Sequence, residues 1–248
     1  MAALRTESLV KRYGALLVTD RVSLDIRMGE LHAVIGPNGA GKTTLISQLS
    51  GELRPDEGRI RFDDRDVTRL AVHRRARLGL LRSYQITSIF EDFTVLENAT
   101  LAALGARQHV WRFWRPMLND VQARRAADAA LASAGLSSRV DVVAGELAYG
   151  ERRQLELAMA LAAEPKFLLL DEPMAGMSAQ EAAAVTRLLH ALKRRYTILL
   201  VEHDMDAVFS LADRISVLVY GGVLFTGTPD EVRAHPEVRA VYLGEESI

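Results

Sequence analysis

The chain of 248 residues contains no cysteine. This excludes disulfides and thiolate metal sites and agrees with a reducing cytosol. Aromatic residues are scarce, at 6% of the total. Long apolar runs are missing too. A bilayer-spanning helix needs roughly 18 or more such residues, whereas the longest candidates here, LELAMALAA and TILLV, suit a buried helix and a buried strand. Any membrane role is therefore expected to come through a partner. The opening MAALRTESLVKRYG has no apolar core and does not read as a signal peptide. An excess of charge is also lacking, the formal net charge being −1. Arginines occur in pairs such as Arg74–Arg75, Arg124–Arg125 and Arg152–Arg153, which read as solvated helix faces, so no nucleic-acid partner is expected. Low-complexity segments, repeats and long linkers are absent. What is present is an apolar fraction of 49%, enough for a normal globular core in one large α/β domain or two small ones.

The early part of the chain alternates like strands at Glu7–Tyr13, Val22–Ile26, Leu31–Ile35 and Arg59–Phe62, with turn signals RMGE and RPDEG between them. Leu80–Tyr84 reads as a further strand. After Gln85 the pattern becomes helical, with apolar spacing over Val95–Leu104 and an Ala/Arg-rich amphipathic stretch over Asp120–Ala134. Strand-like runs return at Phe167–Leu170, Thr197–Val201 and Ile215–Tyr220, and Pro229–Ala234 and Pro236–Leu243 read as short closing helices. The expectation is an α/β fold with a mainly parallel sheet covered on both faces. Its core covers residues 1–86 and 165–230, a helical block covers 87–160, and short helices close the chain at 231–248.

Residues Gly36, Pro37, Asn38, Gly39, Ala40, Gly41, Lys42 and Thr43 follow the apolar Leu31–Ile35 and spell G-x-x-x-x-G-K-[ST]. This is the phosphate-cradling P-loop in its strand-then-helix setting. The glycines let successive N–H groups point at an anion, and the helix beginning near Lys42 adds the positive end of its dipole. Lys42 reaches β- and γ-phosphates, and the Thr43 hydroxyl can bind Mg²⁺. A plain glycine-rich turn is the competing reading, and the full match in its setting outweighs it. The chain is expected to bind a nucleoside triphosphate.

A second signal is FLLLDE at 167–172. An apolar strand ending in two acids puts carboxylates at the ligand edge of the sheet. Asp171 is placed to hold Mg²⁺, directly or through water. Glu172 is placed to orient and deprotonate an attacking water. The alternative is a helix cap, which Pro173 would favour, and pairing with the P-loop argues for catalysis. His203, after TILLVEH, reads either as a structural histidine or as a γ-phosphate sensor. Gln85, between a strand and the helical block, reads either as a plain polar residue or as a contact to Mg²⁺ or the attacking water.

With these residues in place the whole chain resembles the ATP-binding subunits of ABC transporters, P-loop NTPases with a mixed sheet, an N-terminal antiparallel part and an inserted helical subdomain. The order Tyr13, P-loop, Gln85, LAYGE, FLLLDE, His203 carries the resemblance. It implies that Tyr13 stacks on adenine, that Gln85 is the glutamine loop and that His203 is the switch histidine. It also assigns Thr44 to the nucleotide cradle. Leu147, Ala148, Tyr149, Gly150 and Glu151 match the signature that caps ATP held by another subunit's P-loop, so that two ATPs are sandwiched head to tail. Expected cofactors are ATP and Mg²⁺, and the activity is ATP hydrolysis coupled to transport. Expected partners are a second such ATPase, identical or related, two membrane permease subunits and, indirectly, a periplasmic binding protein. The location implied is the cytoplasmic face of the inner membrane.

IGPNGAGKTT, RSYQITSIFEDFTVLENA, LAYGERRQLELAMAL, LLVEHDMD and VYLGEE are similar to the branched-chain amino acid importer group, as is the extra segment Gly105–Asn119. Alternatives are urea or amide systems, the lipopolysaccharide-export ATPase, and a non-transport member of the family. Trp111, Phe113 and Trp114 with Arg112 and Arg115 read as a small apolar cluster, a membrane-surface contact or a permease contact. Ile86–Phe93 is the stronger candidate for permease coupling.

Two departures from the family pattern stand out. Ala148 replaces the signature serine, and Ser178 stands where many relatives have Asp or Asn. Both act on the partner's site, which is expected to be the weaker of the pair. A hydrogen bond to a charged group is worth about 1.5–3 kcal/mol, so Ala148→Ser should raise ATP turnover of the assembled transporter. Unchanged turnover removes the idea.

Overall fold

The computed structural model describes residues 2–83, 89–106 and 120–243. In chain order its strands are β1 (Ala2–Tyr13), β2 (Leu16–Val22), β3 (Asp25–Arg27), β4 (Leu31–Ile35), β5 (Glu57–Phe62), β6 (Arg65–Asp66), β7 (Leu80–Ser83), β8 (Phe167–Asp171), β9 (Thr197–Val201), β10 (Arg214–Val219) and β11 (Gly222–Gly227). The helices are α1 (Lys42–Ser50), α2 (Val72–Arg77), α3 (Val95–Ala106), α4 (Val121–Ser133), α5 (Tyr149–Ala162), α6 (Ala179–Leu192), α7 (Met205–Leu211), α8 (Pro229–Ala234) and α9 (Pro236–Val238). Contacts divide the chain into two compact units. One holds Met1–Arg75, Leu169–Glu172 and Leu192–Ile248, and the other holds Ala76–Leu168 and Pro173–Ala191.

The first unit contains an antiparallel sheet, β2-β1-β5-β6 with β3 on β1, and most of a second sheet whose strand order is β11-β10-β4-β9-β8-β7. Within the second sheet β4 lies parallel to both neighbours, with Ala33 opposite Ile215 and opposite Leu200. Every residue of β4, β8 and β9 is buried, as continuous apolar runs in a parallel sheet require. His32 is the polar exception in LHAVI. Its Nδ1 donates to Glu30 Oε1 at 2.8 Å, and its Nε2 lies 2.8 Å from Ser216 Oγ, which lies 2.7 Å from Thr226 Oγ1. This thread satisfies buried polar groups across β4, β10 and β11.

Three features differ from the sequence reading. Val22–Ile26 is not one strand. Thr6 N donates to Leu24 O, while Thr6 Oγ1 donates to Val22 O and accepts from Leu24 N, so a side chain shares the pairing in the gap between β2 and β3. Strand β11 pairs antiparallel with β10, although its sequence GVLFTG has no period-two pattern to announce it. The closing stretch Pro236–Leu243 is helical as read, but it is α-helical only to Val238 and π-helical over Arg239–Leu243.

In the second unit α3, α4 and α5 pack on one another. Buried Ala123, Ala127, Ala130 and Leu131 form the inner stripe of α4, and Asp120 caps its N-terminus by accepting from Gln122 N and Ala123 N.

The helix that follows the P-loop is fixed at its far end by Arg75. This fully buried guanidinium donates to Gln48 O at 2.7 Å, Leu49 O at 2.6 Å, Leu70 O at 3.0 Å and Thr68 O at 3.0 Å. Two of these are terminal carbonyls of α1, where a cation also meets the negative end of the helix dipole. Burial pulls the Arg75 pKa down to about 10, partly offset by the charge of Asp66. Gly51 ends α1 in the left-handed region at φ 91°, and a Cβ there would stand 2.8 Å from Arg75 Nε. Replacing Arg75 by Leu leaves several buried carbonyls unpaired and should cost about 3 kcal/mol or more in denaturant-unfolding stability. Arg75→Lys should recover little, because one ammonium cannot match the guanidinium fork.

Candidate active site

The parallel strands β4 and β9 and their neighbour β8 lead into the predicted chemistry in the first unit, Glu172 N after β8 meeting Val201 O at the end of β9. After Ile35 the chain turns through Gly36 and Gly41 against neighbouring backbone. A Cβ on Gly36 would run into the Leu218 carbonyl, and one on Gly41 into the Val18 carbonyl of β2. Gly221 N donates to Ala40 O at 3.1 Å, and Asp20 N donates to Gly221 O at 2.8 Å. The loop is thus bracketed by the β1–β2 and β10–β11 hairpins. Asn38, Gly39 and Thr43 are exposed, and Pro37 and Thr44 half-buried.

Lys42 is buried, and its Nζ donates to Gly36 O at 2.6 Å and Pro37 O at 3.0 Å. Burial pushes its pKa below the usual lysine value, while the charges of Glu172 and Asp171 pull the other way. P-loop and acid pair are therefore close enough to feel each other's charge. Asp171 is buried at the end of β8.

Glu172 N donates to Val201 O at 2.8 Å, and its Oε1 lies 2.7 Å from His203 Nε2. A carboxylate only accepts, so this contact requires the Nε2–H form of the ring. His203 N in turn donates to the buried Glu202 at 2.9 Å. The helix-cap alternative for Asp171 and Glu172 fails, since α6 starts only at Ala179. Glu172 also adopts φ 49°, a left-handed backbone that side chains rarely take. No sequence signal announces this.

Tyr13 ends β1 opposite Leu16 and is 53% exposed, with Lys11 Nζ 5.8 Å from its ring centroid. Gln85 lies outside the described residues, as do Ile86, Trp111, Arg112, Phe113, Trp114 and Arg115 and the end of VYLGEE. Of the stretch Ile86–Phe93, Phe90 and Phe93 are exposed and stacked at 5.2 Å, and the buried Asn98 bonds both backbone groups of Phe90.

In the second unit LAYGE opens α5, with Ala148 at the N-cap. Alanine offers no side-chain acceptor, so only half a capping box forms, Glu151 Oε2 accepting from Ala148 N at 3.0 Å. Arg139 fixes Glu151 in a two-point ion pair. The Tyr149 hydroxyl donates to Ala175 O at 3.2 Å, and Gly150 N donates to Glu181 Oε1 at 3.1 Å. The sequence reading missed Glu181, although Ser178 and Glu181 have the spacing of a capping box.

Among the described residues no group of three or more His, Cys, Asp or Glu side chains could hold a metal ion. No helix there is long and apolar enough to cross a membrane.

A glycine loop bracketed by two hairpins, a buried lysine that feels the charge of the acid pair and a helix opened by LAYGE define an ATP-binding cassette. Residues 19–175 match the ABC transporter family, and the chain belongs to it. It is the ATP-hydrolysing, ATP-binding subunit of an ABC transporter. Residues 223–247 match the family described as branched-chain amino acid ATP-binding cassette transporter. The chain is 38% identical over 251 residues to the high-affinity branched-chain amino acid transport ATP-binding protein LivG of Salmonella typhimurium, covering 98% of each. It is 36% identical to the lipopolysaccharide export system ATP-binding protein LptB of Haemophilus influenzae, covering 99% of each. The ADP conformation of MJ1267, an ATP-binding cassette of an ABC transporter, is similar in structure, with TM-score 0.87 and 31% identity over 98% of this chain and 99% of that one.

The left-handed backbone at Glu172 makes a stability prediction free of catalysis. Relative to Glu172→Ala, Glu172→Gly should be more stable by about 1 kcal/mol, because only glycine adopts that conformation without a Cβ penalty. Equal denaturation midpoints would show that the backbone there is unstrained.

Proposed function

We propose that this chain drives an importer for branched-chain amino acids or related amides, pairing head to tail with a second ATPase beneath two permease subunits on the cytoplasmic face of the membrane. The match of residues 223–247 carries the substrate class, and the name of the LivG relative agrees with it. The near-equal identity to LptB makes lipopolysaccharide export the rival reading. Residues 87–160 act as the helical subdomain, and a periplasmic protein delivers the substrate.

In this reading the N–H groups of Gly39 to Thr44 and the Lys42 ammonium hold the phosphates, and Tyr13 stacks on the base. Asp171 and the Thr43 hydroxyl offer hard oxygens that suit Mg²⁺, and with Gln85 they would hold it. The cation, when bound, neutralises phosphate charge. Glu172 accepts a proton from the attacking water as its oxygen bonds to the γ-phosphorus and the bond to the bridging oxygen of ADP breaks. His203 Nε2, 2.7 Å from Oε1, orients this carboxylate. Leu147, Ala148, Tyr149, Gly150 and Glu151 close over the partner's nucleotide.

The test is Glu172→Gln in the chromosomal gene. The purified complex should bind ATP yet lose turnover at least 100-fold, the low end of what a general base supplies, and cells should lose uptake of labelled leucine. Retained hydrolysis would overturn the assignment of the base. Normal uptake of leucine, urea and amides alongside a lipopolysaccharide-export defect would move the chain to the rival class.

A further inference from the structure

One carboxylate in the second unit serves two helix starts. Glu181 Oε2 accepts from Ser178 N at 2.9 Å and Ser178 Oγ at 2.7 Å, which completes the N-terminal cap of α6. Its Oε1 accepts from Gly150 N at 3.1 Å, in the first turn of α5. The carboxylate lies against the face of Gly150, where a Cβ would collide with it. The N-cap hydroxyl that ordinarily satisfies a first-turn donor is missing at Ala148. Glu181 supplies the missing acceptor from another helix.

We infer that Glu181 is an internal occupant of the signature, holding the Gly150 N–H that a partner's γ-phosphate must take, so that ATP-driven pairing has to displace it. The inference rests on the composite-site reading above. An N–H at a helix start favours a single anion, and a carboxylate and a phosphate oxygen repel each other when both approach it. The hydroxyl and N–H of Ser178 and the N–H of Gly150 hold the Glu181 carboxyl below the usual glutamate range, which keeps it anionic near neutral pH. Pairing then costs the rupture of one charge-assisted hydrogen bond on each signature of this kind. The Ser178 hydroxyl, 3.4 Å from Glu181 N, retains part of the α6 cap after release.

The ATP concentration giving half-maximal association of the full chain with its partner ATPase tests this, with hydrolysis blocked by Glu172→Gln. Adding Glu181→Gln should lower that concentration about threefold, and Glu181→Ala about tenfold, as expected for losing a charged and then any acceptor. Glu231→Gln is the control. It removes the same kind of capping carboxylate from Thr228 at the start of α8 and should leave the concentration unchanged. Thermal melts of each variant confirm folding. If the Glu181 variants need the same or more ATP, the carboxylate only positions the signature and the inference falls while the composite site stands. If no chain associates in response to ATP, the composite-site reading fails, and this inference with it.

Discussion

Strand β4 has both faces covered and a parallel neighbour on each side, so its backbone groups must pair and its register cannot slide without carrying His32 away from Ser216. In that register Val34 lies opposite Val201 and Ile35 opposite Val217. The segments that follow β4 and β9, beginning at Gly36 and Glu202, therefore leave the sheet side by side, next to the last residues of β10. The Leu218 carbonyl consequently occupies the space that a side chain at position 36 would need. The P-loop's first glycine is thus dictated by the sheet as much as by any phosphate. The same alignment brings Glu172 N to Val201 O and the Glu172 carboxylate to His203.

Helix α1 inherits this precision because it is held at both ends. At its start Gly41 packs on Val18 and Gly221. At its finish Arg75 gathers the last carbonyls. A helix of nine residues has little stability of its own, so these contacts determine where its N–H groups point. Lys42 then sits where burial disfavours its charge and the acid pair restores part of it. Two carboxylates near one buried ammonium form a balanced arrangement that an incoming polyanion would shift. The strained backbone of Glu172 adds to the cost of building such a site, on the order of 1–3 kcal/mol.

The parts most legible in the sequence were those with one-dimensional physics. Buried parallel strands are apolar runs, and Leu31–Ile35 and Thr197–Val201 have the predicted bounds. The P-loop and the acids after β8 could be read because their residue types are themselves the chemistry. The signature was read as a motif, yet its environment was hidden. Nothing near LAYGE in the chain indicates that the acceptor missing from Ala148 comes from position 181. Strand β2 was hidden for a related reason: its ladder to β1 shifts register twice, which blurs the alternation that marks a strand. Arg75 looked like half of a solvated pair, and only the carbonyls converging on it in three dimensions explain its burial.

Glu181 connects these observations to the departures in the motif. In the proposed composite site, alanine at 148 offers a partner's phosphate one donor fewer than serine would. It also leaves a first-turn N–H in need of an acceptor, and a half-buried segment seldom leaves such a donor unpaired. The carboxylate of α6 answers that need, and Ser178 orients it from the other side. The hydroxyl of Tyr149 ties the same two segments together at Ala175. A signature joined in this way to the loop before α6 cannot change its hydrogen bonds alone. Any anion that takes Gly150 from Glu181 acts on the carboxylate whose other oxygen caps α6. In the proposed composite site, nucleotide closure on this side would therefore reach the loop at 174–178 through Glu181 and Tyr149 together.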